Sequence, residues 1–189
     1  RLSQGHIGRA KWLATNPDAA TRRLDAVRLA LGLRDVGGAM EGAATLVAWA
    51  TEQAQAQAVG RDEVEEAQLS AALGVGGTGR GAPSGSAKAL KELEKEQKSR
   101  TTRATRDCLD MALLDIATAY RDIITLQLNS ESELINEDLR NEISALALSS
   151  KPASMLKRWE AVMATRRTLN FNVAPLLAIE ALLLNVKFK

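Results

Sequence analysis

The chain has almost none of the residues that usually carry chemistry. One histidine, one cysteine and 3% aromatic residues serve 189 positions. A single cysteine, Cys108, excludes an internal disulfide framework. That leaves an intracellular protein or a cysteine-poor extracellular one. The lone histidine, His6, has no cysteine or second histidine beside it, which excludes the common zinc sets and leaves no Ser/His/Asp relay to assemble. His6 is expected at the surface, and Cys108 as a small, buried or half-buried side chain rather than a nucleophile. A net charge of +2 removes any bulk field that would draw the chain to nucleic acid or a membrane. No apolar run reaches the ~20 residues of a bilayer span, and no signal or transit segment is visible. With so few rings, a composition 46% hydrophobic must build its core from Ala, Leu, Ile and Val. Proline is scarce too, and three of the four sit where helices could begin. Such a composition favours helices, and the expected fold class is all-α.

Local signals divide the chain. Gly5-His6-Ile7-Gly8 leads into a short helix carrying Arg9. Asn16-Pro17-Asp18 reads as a capped helix start, with the helix running to about Leu31. Asp35 is placed to cap the next helix, whose apolar face is expected from Met40, Leu46, Val47, Trp49 and Ala50, with a break near Gly60. Residues 74–86 hold six of the thirteen glycines and predict a flexible loop. Residues 87–128 predict one long helix or two end to end. Its second half carries Leu109, Leu113, Ile116, Tyr120 and Ile123 in steps of four, three, four and three. Helices are then expected from Asn136, from Pro152 and from Asn172, so the C-terminal half predicts an antiparallel bundle. The chain opens at Arg1 without Met, inside a helical pattern, and is expected to be part of a longer protein.

Three features invite a chemical reading. Residues 74–81 approach the phosphate-cradling pattern G-x-x-x-x-G-K-[ST], but Arg80 and Gly81 replace the lysine and hydroxyl, and no strand precedes them. A flexible loop is the expectation; a nucleotide-binding enzyme would need Arg80 for tight ATP binding. The basic run from Lys88 to Arg106 has seven Lys or Arg against three Glu. Interleaved acids and the lack of rings for stacking point to a solvated face. Glu65-Glu66 and Glu137-Asp138 read as solvated faces and helix caps.

The final helix is the most distinctive segment. Between Val173 and Val186 the only charge is Glu180. A surface helix keeps a polar face, so a helix apolar nearly all round has to be covered by its own domain or by a partner. Leu176, Leu177, Ile179, Leu182, Leu183 and Leu184 are the candidate interface residues.

Three stretches carry a resemblance. Ser3-Gln4-Gly5-His6-Ile7-Gly8-Arg9-Ala10 resembles the sensor-2 region in the lid of clamp-loader AAA+ modules. Residues 89–100, with Arg106-Asp107 and Tyr120-Arg121-Asp122, resemble the opening helix of a clamp-loader collar domain. Residues 169–184 are similar to its terminal helix. The chain thus resembles the C-terminal part of delta-prime subunits of the bacterial DNA polymerase III clamp loader.

The resemblance implies residues 1–34 as the end of an AAA+ lid, 35–73 as a helical segment packing on the collar, 74–86 as a loop and 87–189 as the collar. It implies an oligomerisation region of a pentameric ring that loads the sliding clamp onto DNA in the replicating cytoplasm. Partners would be the gamma/tau and delta subunits, with clamp and primer-template DNA reached only through the complex and no membrane involved. It implies no enzyme activity and no cofactor for this stretch, with Arg9 the one sensor-2-like candidate for nucleotide contact, and ring assembly blocked by Leu183→Asp. A free-standing helical adaptor acting through its last helix is the alternative.

Overall fold

The computed structural model describes residues 2–3, 5, 7–74, 85–171 and 173–188, excepting the side chains of Trp12 and Pro17. All secondary structure among them is helical: α1 (Ile7–Thr15), α2 (Pro17–Gly32), α3 (Val36–Ala72), α4 (Ser86–Gln127), a 3-10 turn at Glu137–Leu139, α5 (Arg140–Ser149), α6 (Pro152–Leu169) and α7 (Pro175–Val186). His6, Asn172, Arg80 and the rest of residues 75–84 lie outside the described residues, and with them the phosphate-loop expectation.

The chain divides into two compact units, Arg1–Val47 with Leu109–Lys189, and Ala48–Cys108. In the first unit the expected stripe of α4 is the core: Leu109, Leu113, Ile116, Tyr120 and Ile123 are all buried. Val27 and Leu31 of α2, Leu139, Ile143, Met155, Val162 and Leu169 are buried in the same unit. Each such aliphatic side chain contributes about 1.5–3 kcal/mol by leaving water. The α4 helix ends in a Schellman turn. Asn129 adopts φ 49°, the Ser130 N–H reaches the Thr125 carbonyl at 3.0 Å, and the Asn129 N–H reaches that of Leu126 at 3.1 Å.

In the second unit α3 and α4 lie side by side. Gln97 donates to the Asp62 carbonyl at 3.0 Å, and Arg100 donates to both oxygens of Glu65, at 3.0 Å to Oε1. Pairing with Arg100 holds the Glu65 carboxyl below its usual range.

Several local expectations are corrected. The helix α3 passes through Gly60 without a break. One interior glycine costs ~1 kcal/mol, and strong helix formers on both sides with side-chain links to α4 outweigh it. Its buried hydrophobic positions are alanines apart from Leu46: Ala39, Ala43 and Leu46 in the first unit, Ala50, Ala54 and Ala58 in the second. Met40 is exposed and Trp49 only half-buried. Asn16 stands at the N-cap of α2 but makes no side-chain cap bond; its amide donates to Thr15 Oγ1 at 3.1 Å. Ala174 occupies the N-cap of α7. Asp35 does cap α3, accepting the Gly38 N–H at 2.8 Å.

Candidate interaction face

The last helix has two apolar faces. Ala178, Ile179, Leu182, Leu183 and Val186 recur at the helical spacing of a single stripe and are buried within the chain. On the opposite side stand Leu177, Ala181 and Leu184, spaced four and three apart. Leu177 is 63% exposed, Ala181 is exposed and Leu184 is half-buried. Leu176 flanks this face, also exposed, with Glu180 as its one charge. The six candidate interface residues are thereby sorted. Ile179, Leu182 and Leu183 belong to the chain's own core, while Leu176, Leu177 and Leu184 face outward.

The helix is held rigidly enough to present that face. Packing of α6 on α7 is antiparallel, since Arg158 near the start of α6 reaches the end of α7. Its Nε donates to the Val186 carbonyl at 2.8 Å and its Nη2 to that of Lys187 at 3.1 Å. The guanidinium thus satisfies carbonyls that a helix C-terminus leaves open, where the helix dipole also favours a cation. Burial pushes the Arg158 pKa down from its ordinary value. Its Cζ lies 4.2 Å from the centre of the Phe188 ring, with Arg34 at 4.9 Å from the same ring. At the other end of α6, Arg166 makes a fork to Asp110, Nε at 2.8 Å and Nη2 at 2.7 Å. Such bidentate pairs fix angle as well as distance.

The same unit holds a buried polar network that sequence reasoning missed. Arg9 does not face solvent; it is 5% exposed and pairs with Asp115. The Nε of Arg23 lies 3.6 Å from the same carboxylate. Its Nη1 reaches Asp138 at 2.8 Å, and its Nη2 donates to the Asn136 side-chain oxygen. Asn136 stands at the N-cap of the 3-10 turn, as expected, but its side chain serves as a buried link and makes no cap bond. Its amide donates to Asp122 at 2.8 Å and to Thr118 at 3.0 Å. Asp122 also accepts the backbone N–H of Asn136 at 2.7 Å and of Ile135 at 3.0 Å, and pairs with Arg121 at 2.7 Å. Three arginines meet three aspartates, so the network is neutral. Burial nevertheless drives the Asp115 pKa up to about 6, against the pull of Arg9 and Arg23.

The signal was available. Asp115, Thr118, Asp122 and Thr125 form a polar stripe at helical spacing beside the apolar one, and all are buried. The sensor-2-like candidate Arg9 is thus paired with Asp115. Cys108 is half-buried, and burial raises its thiol pKa. No cluster of His, Cys, Asp or Glu that could hold a metal occurs among the described residues, and no described helix is long and apolar enough to cross a membrane.

No curated protein and no solved structure matches the chain. Residues 104–187 match the family model of the DNA polymerase III delta subunit, C terminal. The match runs from within α4 through α7 and stops at Lys187, so it contains the outward face of the last helix and the arginines that brace it. It concerns the delta subunit and does not single out delta-prime. Residues 104–187 are thus similar to a clamp-loader-related C-terminal domain.

Proposed function

We propose that the C-terminal domain is the collar through which a clamp-loader subunit is held in its ring, and that the subunit is of the delta type. The observation that carries this is the second apolar face of α7. A helix with Leu177, Ala181 and Leu184 turned away from its own core leaves apolar area to be covered, and permanent assemblies cover such area between subunits. The delta type is favoured over the delta-prime expectation because the matched model describes the delta subunit. In this reading the chain hydrolyses nothing and needs no cofactor. Arg9 positions α1 instead of touching nucleotide, and contact with the clamp comes through the assembled ring.

The test is co-elution of the chain with gamma/tau plus delta-prime, and separately with gamma/tau plus delta. A delta-type subunit completes the first set; a delta-prime-type subunit completes the second. The double variant Leu177→Asp/Leu184→Asp should lose assembly while keeping its helical circular dichroism. Leu183→Asp is the wrong probe, because a carboxylate at a fully buried position unfolds the domain itself. Full assembly by the outward double variant would show that α7 does not face a neighbour.

A further inference from the structure

The acids and bases that alternate along the sequence of α4 are sorted in space by the helix. At 100° per residue, Lys88, Lys91, Lys95 and Lys98 fall within a sector of ~80°, and their attachment points span ~15 Å along the axis. The hydroxyl residues Ser99 and Thr102 stand in or beside the same sector. Glu92 and Glu94 fall on its two flanks. All four lysines are exposed, and none makes an ion pair or side-chain hydrogen bond with another described residue. Arg100, on the other side of the helix, is committed to Glu65 and Asp62. The cation facing α3 is neutralised and the outward ones are not.

We propose that this lysine face of α4 binds the phosphate backbone of duplex nucleic acid without reading its sequence. A straight row of ammonium groups on a rigid helix offers repeated phosphate contacts, to which hydroxyls add donors. No ring stands in the row, so it has nothing on which to stack the bases of a single strand. It has no apolar anchor either, whereas protein interfaces are built around such anchors and are depleted in lysine. A membrane-surface helix would need an outward apolar face; here Leu90 and Leu93 lie on the side away from the lysines and are half-buried. The flanking glutamates keep the row narrow and limit it to about four phosphates, one per lysine.

The test is fluorescence anisotropy of the chain with a labelled mixed-sequence DNA duplex between about 50 and 200 mM salt. Four phosphate contacts give a slope of log K on log salt of about −3.6, a loss of about 150-fold over that range. The triple variant Lys91→Gln/Lys95→Gln/Lys98→Gln should bind at least 10-fold more weakly at low salt, with a slope near −1. A second triple, Lys11→Gln/Lys151→Gln/Lys157→Gln, makes the same change in net charge at other exposed lysines and should retain the parent slope. Equal loss in both triples would reduce the effect to net charge and overturn the site. No binding to duplex at low salt, or tighter binding to polyglutamate or to phosphatidylserine vesicles, would overturn the assignment of the partner. Because no step uses α7, these outcomes are independent of ring assembly.

Discussion

Phe188 donates its backbone N–H to the carbonyl of Leu33 at 2.9 Å, tying the segment after α7 to the residue that ends α2. The ring then packs against two guanidiniums, Arg158 and Arg34, and Arg34 in turn donates to the carbonyls of Leu31 and Leu33 at 3.0 Å. The end of the second helix and the end of the last are thus closed by the same three side chains. Phe188→Leu keeps apolar bulk but removes both cation–π contacts, each worth ~0.5–1 kcal/mol at a partly exposed site. A loss of about 1–2 kcal/mol in urea denaturation is expected. Unchanged stability would mean that the backbone bond alone holds the tail.

Asp115 makes folding depend on pH in the direction opposite to most salt-bridged carboxylates. Its carboxyl titrates at about 6 in the folded chain and at ~3.9 when unfolded. Between these values the native state holds a proton that the unfolded state has released. Protonation therefore favours folding: the contribution is complete below about 4 and lost as pH rises through about 6, with an amplitude on the order of 3 kcal/mol. Asp115→Asn holds a neutral side chain at every pH, so its stability lacks this dependence. The stability gap, taken as parent minus Asp115→Asn, should be more positive at pH 4.5 than at pH 7.5. A gap that becomes less positive on acidification would place the native carboxyl below its unfolded value.

Tyr120 is fully buried, and its hydroxyl has no hydrogen-bond partner among the described residues. Burial raises its pKa, so it stays neutral throughout the working range. An unmade bond in the interior costs ~1–3 kcal/mol of desolvation. Tyr120→Phe removes that cost and keeps the ring, and should leave stability unchanged or raise it by about 1 kcal/mol. A drop of more than 1 kcal/mol in thermal or urea unfolding would reveal a partner for the hydroxyl.

How far these features were legible depends on the range of the interaction behind them. The α4 stripe and the starts at Pro17 and Pro152 follow from local rules and emerged as expected. Asn16 and Asn136 failed as side-chain caps because a capping residue has competing partners. Asn136 lies near Arg23 and Asp122 only in three dimensions. The continuity of α3 through Gly60 depends in part on Gln97 and Arg100, over thirty residues away. The last helix was legible as apolar on both sides, but which leucines face inward depends on the phase of its packing, and only the fold supplies that phase.

Gly42 marks a close approach that no periodicity announces. A Cβ at this position would lie 2.8 Å from Leu29 Cδ2, 3.1 Å from Cδ1 and 3.2 Å from Cγ. The glycine lets α3 settle onto α2 at a point where any side chain intrudes. Leu29 is only half-buried, so its end can swing aside for a single methyl. Alanine also regains ~1 kcal/mol of helix propensity. Gly42→Ala should therefore fall within about 1 kcal/mol of the parent, while Gly42→Leu forces the helices apart and costs ~1–3 kcal/mol. Adding Leu29→Ala to Gly42→Leu opens space for the new side chain, so the double variant should be more stable than the sum of the two single changes allows. Strict additivity in urea denaturation would show that the two positions do not share this contact.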